Sequence, residues 1–223
     1  MYMPRLGVPA DVAAIRAALV LALNTLDEQG RKVGDAKFGV YAFYDYDGEP
    51  IYVGQTSEKL RVRIRRHLTN HRTDAVAMNV LDPFEVYEVE MWPMWELQHL
   101  PPKTAAQILN AAEYTAFQQL LTASKYKAVL NEKDMVATES TTLPTPVRLC
   151  IVPEELREAR RHPDVRIARR AMTISSLAKV ISERDVSPGL RRTLLTQASR
   201  LERLAGSRFA DFADDPIEQE HEE

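Results

Sequence analysis

Apolar residues recur along the first half of the chain at two periods, and each period predicts a different element. From residue 10 to about 29, Val12, Ile15, Leu19, Leu23 and Leu26 fall at helical spacing, with Gly30 following as a stop signal. The stretches FGVYAFY (38–44) and IYVG (51–54) are β-branched and aromatic, and the turn-rich DYDGEP (45–50) between them makes the pair an antiparallel hairpin. Ser57 is placed to cap a helix running to about Leu68, with Leu60, Ile64 and Leu68 as its apolar stripe. FEVYEVEMW (84–92) reads as a third strand. Pro101 and Pro102 break the chain, and a helix follows from about Thr104 to Leu121. TESTTLPTP (138–146) is linker-like, and helices are expected beyond it near 153–162, 173–183 and 188–204.

These elements predict an α/β (α+β) fold: a small three-stranded antiparallel sheet flanked by helices, followed by a helical attachment. The expected division is an N-terminal helical segment packing on the core (1–35), a core unit (36–135), a linker (136–147), a basic helical region (148–208) and an acidic tail expected to be disordered (209–223).

Composition refines this picture without changing it. With 45% hydrophobic residues the chain can build a sizeable core. No apolar run reaches the roughly 18 residues of a membrane span, and the start lacks a clear cleavage site, so a cytoplasmic setting is expected. Cys150 lies among Leu149, Ile151 and Val152 and reads as a reduced thiol. The net charge of −3 argues against a strongly basic nucleic-acid binder, yet it averages over a split. Residues 61–72 (RVRIRRHLTNHR) carry five arginines and two histidines with no acid. Residues 148–208 carry 14 Lys and Arg against 7 Asp and Glu, and 211–223 hold seven acids and no Lys or Arg. A basic body with an acidic tail suits a protein that holds a polyanion; solvated surface is the bland alternative.

Candidate chemistry gathers in the first 135 residues. Gly39-Val40-Tyr41 and Tyr52-Val53-Gly54 are, taken singly, ordinary strand sequence. Arg63 and His67, four apart, share a helix face beside the apolar stripe, where a guanidinium can fork onto phosphate and an imidazole can move a proton. On the following helix Glu113 falls with Leu109, Ala116, Phe117 and Leu120, while Gln107, Asn110, Tyr114 and Gln118 are assigned to the opposite side. A carboxylate on an apolar face calls for a cation, either an arginine or a metal.

In order and spacing, hairpin, Arg/His helix, strand and Glu-bearing helix together resemble the GIY-YIG nuclease superfamily over roughly residues 36–135. By that resemblance Tyr41 and Tyr52 match the two motif tyrosines, Arg63 the helix arginine and Glu113 the metal-binding glutamate. His67 matches a histidine of the restriction-enzyme branch, which favours that branch. Asn131 resembles the asparagine that closes the domain, after a gap from Glu113 longer than usual. Gln55 stands where the repair-incision branch has a lysine, which puts a Lys-assisted mechanism in doubt.

The resemblance implies a Mg²⁺- or Mn²⁺-dependent endonuclease that hydrolyses phosphodiester bonds in DNA, with RNA left open as substrate. Glu113 would hold the metal, Arg63 would stabilise phosphoryl charge, and Tyr41 would be the general base, assisted by His67 or the metal. Tyr52 would bind the phosphate or the water, and Gln55, Arg61, Arg66 and Asn131 complete the expected substrate-binding set. A role in restriction or phage defence, and a homodimer for cutting both strands, are the expected setting. Two other readings stay open: a non-catalytic nucleic-acid-binding protein on a nuclease-derived scaffold, and a helix-turn-helix regulator with its turn at Val186–Gly189.

Overall fold

The computed structural model describes residues 9–69, 82–131 and 135–213. The end of the basic run, with His71 and Arg72, and the acidic tail from residue 214 lie outside the described residues.

Helix α1 spans Ala10–Leu23 and buries Leu19, Ala22 and Leu23. It stops six residues before the expected end at 29. The reason is local: the Asp27 carboxylate accepts from the backbone N–H groups of Gln29 (3.0 Å) and Arg31 (2.8 Å), a turn that competes with helix. Gly30 serves this turn at φ +74°, rather than stopping a helix.

The sheet is antiparallel and four-stranded, in the order β2-β1-β3-β4, with β1 at Gly39–Tyr44, β2 at Pro50–Thr56, β3 at Glu88–Pro93 and β4 at Val147–Cys150. The fourth strand corrects the three-stranded expectation. It comes from the chain just beyond the linker and pairs Val147 to Met91 and Cys150 to Glu88. Four residues are too few for a periodic signal, which is why the pattern did not reveal it. β3 is also shorter than expected, because Asp82 caps a 3-10 turn at Pro83–Glu85 by accepting from Phe84 N–H.

Every residue of β1 is buried, so both faces of the sheet are covered. On one face Tyr41, Phe43, Val89 and Met91 pack with Leu19, Leu23, Leu60 and Ile64. Helix α2 (Leu60–Thr69) supplies the last two. It begins at Leu60, three residues after the expected Ser57 cap, because the Thr56 hydroxyl and the Glu58 backbone close a turn first. On the other face Val40, Ala42, Tyr44 and Trp92 meet Leu109, Ala112, Ala116 and Leu120 of α3 (Pro102–Ala123). No helix among the described residues is long and apolar enough to cross a membrane.

Among the described residues three helices follow β4: α4 (Glu154–Arg161), α5 (Pro163–Glu183) and α6 (Pro188–Ala213). α5 starts ten residues before the expected 173, with Pro163 in its first turn and His162 Nδ1 accepting from Asp164 N–H. α6 runs into the segment expected to be a disordered tail. Arg208, paired with Asp164 (2.9 Å) and Asp211 (3.7 Å), holds those last turns. Leu177, Val180 and Leu190 join the same apolar cluster as Tyr41 and Phe43.

The basic attachment is therefore fastened to the core, and charge does part of the fastening. Asp45 (1% exposed) organises the β1–β2 turn by accepting from the N–H groups of Asp47 and Glu49, and its other oxygen accepts from Arg170 at 2.8 Å. Arg166 forks onto Asp47 (2.9 and 2.6 Å), and both arginines reach Glu85. Burial pushes the Glu85 carboxyl above its usual range, with Arg170 and Arg166 opposing the shift. Arg200 donates to Pro50 O at 2.9 Å. Arg160, Arg166, Arg170 and Arg200 are all buried, so these four of the region's cations face carboxylates or carbonyls of this chain instead of solvent.

Candidate active site

The two glycine-tyrosine motifs meet across the hairpin. Tyr41 lies directly opposite Gly54 in the β1–β2 register. A Cβ at Gly54 would sit 2.7 Å from the Tyr41 hydroxyl and 2.8 Å from Tyr52 Cε1. Gly39 is held to glycine in the same way, since a Cβ there would lie 2.9 Å from Trp92 O and 3.0 Å from Leu60 Cδ1. The spacing is a steric requirement: β2 leaves room for one phenol across its backbone, and the missing side chain at Gly54 makes that room.

Around this point the rings cluster. Tyr41 and Tyr52 have centroids 6.1 Å apart, and His67 from α2 closes the group at 5.8 Å from Tyr41 and 5.0 Å from Tyr52. The Tyr41 hydroxyl is buried and has no hydrogen-bond partner among the described residues. Burial pushes its phenol far above the ordinary range near 10, Tyr52 adds to the shift, and the Arg63 guanidinium beside it only partly offsets it. The structure thus works against the low phenol pKa that a general base needs. Arg63 itself has a buried Nε that meets no acceptor among the described residues. Burial opposes its charge, yet Tyr41, Tyr52 and Glu58 outweigh that and hold the guanidinium firmly protonated.

Glu113 approaches from the other side, on α3. It is half-buried, at the margin of the face formed by Leu109, Ala112 and Ala116. It makes no ion pair among the described residues. Burial raises its carboxyl to about 7, against the opposing pull of Gln55 and Arg63. Gln55, on β2, donates its side-chain amide to Asn110 Oδ1 at 2.7 Å, while its own Oε1 is buried with no donor among the described residues. Asn110, expected on the side of α3 away from Glu113, is thus on the same side. Positions three apart on a helix differ by only about 60°, which was the available signal.

Among the described residues no group of three or more His, Cys, Asp or Glu could hold a metal. The donor present is an oxygen group, the Glu113 carboxylate. It fits a hard cation such as Mg²⁺ or Mn²⁺ that keeps most of its water shell, and does not fit a caged metal.

The remaining expected residues are held by the chain itself. Arg61 pairs with Asp35 (2.9 Å) and donates to Asn24 Oδ1 (3.1 Å), tying α2 to the end of α1. Arg66 pairs with Glu58 at 2.7 Å. Asn131 accepts from Val53 N–H (3.1 Å) and donates to Val53 O (2.8 Å), so both ends of its amide are spent on β2. Tyr41, Tyr52, Arg63, His67, Gln55 and Glu113 are brought together, whereas Arg61, Arg66 and Asn131 brace the elements that carry them.

No curated protein and no solved structure matched the chain. One family model did, described as the GIY-YIG catalytic domain, over residues 37–127. Those residues hold the hairpin, α2, β3 and α3, so a GIY-YIG catalytic domain is present in this chain and supplies its candidate site.

Proposed function

We propose that the protein is a metal-dependent endonuclease that hydrolyses phosphodiester bonds in DNA. The observation that carries this reading is a convergence at a glycine gap in the sheet. A buried phenol (Tyr41) with no hydrogen-bond partner and a carboxylate (Glu113) with no ion-pair partner, among the described residues, meet a firmly charged guanidinium (Arg63). Phosphodiester hydrolysis needs a deprotonated water, neutralised phosphoryl oxygens and a protonated leaving group. Arg63 binds and neutralises a phosphoryl oxygen. Tyr52 hydrogen-bonds the phosphate or the attacking water. Glu113 would hold a divalent cation, which when bound adds positive charge at the phosphate. Tyr41 takes the proton from water only as the phenolate, which burial disfavours and the Arg63 guanidinium beside it favours. His67, packed against both tyrosines, passes the proton on.

His67 favours the restriction-enzyme branch of the family, and with it a role in restriction or phage defence. Cutting both strands with one site per chain calls for a second copy or a second binding event. The test is cleavage of supercoiled plasmid and of defined DNA and RNA substrates with Mg²⁺ or EDTA. Mg²⁺-dependent nicking that Glu113→Gln abolishes is expected, and binding without cleavage in every condition would refute the reading in favour of a non-catalytic nucleic-acid-binding protein.

A further inference from the structure

Helix α6 has two sides of different character. One side, with Leu190, Thr193, Gln197 and Arg200, is buried against the rest of the chain. On the other, Leu195 is 68% exposed, Phe209 75% and Phe212 55%. Single exposed apolar residues are ordinary. These are not scattered. Leu195, Ala198, Glu202, Ala205, Phe209 and Phe212 follow one another at alternating steps of three and four residues. That alternation is the seam of a two-helix coiled coil, and here it runs for about 25 Å along the helix. Every seam position but Glu202 is apolar.

We infer that this seam is where a second copy of the chain docks, with the two α6 helices antiparallel. The need for a second copy rests on the endonuclease reading above; the surface itself is argued from charge and shape alone. Charge sets the direction. Arg191 and Arg192 stand at the start of α6, and at its end Asp211 opens the acidic run that holds seven acids and no Lys or Arg to residue 223. An antiparallel pair brings the basic end of each helix to the acidic end of the other, whereas a parallel pair sets like charges together. Shape agrees. The seam is small near its start, at Ala198, and bulky near its end, at Phe209 and Phe212. An antiparallel seam packs Phe209 of one copy over Ala198 of the other, and Phe212 over Leu195. A parallel seam stacks phenylalanine on phenylalanine and leaves a gap between the two alanines. Glu202 comes close to its counterpart near the two-fold axis, a polar seam position that costs stability and disfavours other registers.

The test is sedimentation velocity of the full chain over a concentration series, with circular dichroism and plasmid cleavage run alongside. The parent should pass from monomer to dimer as concentration rises. Phe209→Glu should weaken the dimer by about 30-fold or more, the effect of losing a central interface anchor. Its circular dichroism should match the parent's, because the ring is exposed in the single chain. Glu202→Leu should act the other way and tighten the dimer by about 10-fold. Arg191→Ala should loosen it by a few-fold at low salt; tightening instead would overturn the antiparallel arrangement, since only a parallel pair is relieved by that loss. A parent that stays monomeric at every concentration, or a dimer indifferent to Phe209→Glu, would overturn the inference. Monomers that nick plasmid with Mg²⁺ would do so while leaving the endonuclease reading standing. Dimers that obey all three variants yet never cleave would support the seam and sink the endonuclease reading.

Discussion

Replacing Glu113 by glutamine isolates one charge at nearly constant shape. Burial raises this carboxyl from an ordinary 4.5 to about 7, so in the metal-free protein folding disfavours its ionised form. The sign follows. Stability that depends on the protonated acid is fully present below pH 4.5 and is lost as the pH rises through about 7. The interval, at about 1.4 kcal/mol per pH unit, sets an upper limit of about 3 kcal/mol. Glu113 still reaches solvent, which screens its charge, so about 1–2 kcal/mol is the realistic value. Glu113→Gln should therefore match the parent near pH 4.5 and exceed it at pH 8 by about 1–2 kcal/mol, or roughly 3–6 °C in Tm for a chain of this length. The assay is a pair of urea titrations in EDTA at the two pH values. Mg²⁺ should reverse the order: at about 100 times its Kd it stabilises the parent at pH 8 by about 2.7 kcal/mol and leaves the variant unmoved. A variant less stable than the parent at pH 8 would show that Glu113 serves a structural ion pair, and a variant that responds to Mg²⁺ like the parent would take the cation away from Glu113.

Tyr41→Phe should keep the ring packing and lose only the hydroxyl, so turnover should fall by about 10²-fold or more with DNA affinity within a few-fold of the parent; single-turnover rates beside binding isotherms separate the two. Gly54→Ala places a methyl 2.7 Å from the Tyr41 hydroxyl and should cost about 1–3 kcal/mol together with most activity, as read by melts and nicking; normal values in both would show the cleft to be more yielding than its geometry. Arg170→Met removes the cation facing Asp45 and Glu85 and should cost about 3–5 kcal/mol, measured by urea unfolding, without changing the rate per folded molecule. A chain ending near Thr145 lacks β4 and the Leu177, Val180 and Leu190 side of the core, so it should be insoluble or unfolded by circular dichroism, and a soluble, active truncation would refute the packing described here.

Sequence periodicity located the hairpin, α2, β3 and α3 because each buries a periodic face, and Tyr41, Tyr52, Arg63, His67 and Glu113 rode on those elements into one place. What periodicity does not encode was missed. β4 is four residues long and owes its existence to the open edge of β3. The surplus of arginine after residue 148 was read as a surface for polyanions. Arg166 and Arg170, four apart, instead share a helix face that meets Asp45, Asp47 and Glu85 more than eighty residues away in sequence. Alternating acids in a hairpin turn, set against arginines at helical spacing, were a readable hint of that pairing. The high pKa of Tyr41 was not readable at all, because it arises from layers that only the fold assembles.

The bonds from Asn131 have one more consequence. β2 is a terminal strand, and its outward N–H and C=O groups offer a template on which another polypeptide could add itself. At Val53 both groups are already taken by the Asn131 amide, and at Ile51 the carbonyl is taken by Leu130 N–H. A two-residue stretch of the chain's own backbone and side chain thus acts as a stopper along this margin. At the far margin β4 offers only four residues. Two copies that met to cut opposite strands would therefore have to meet through side chains or helices, since a sheet running continuously from one copy into the next is blocked at β2 by the protein's own hydrogen bonds.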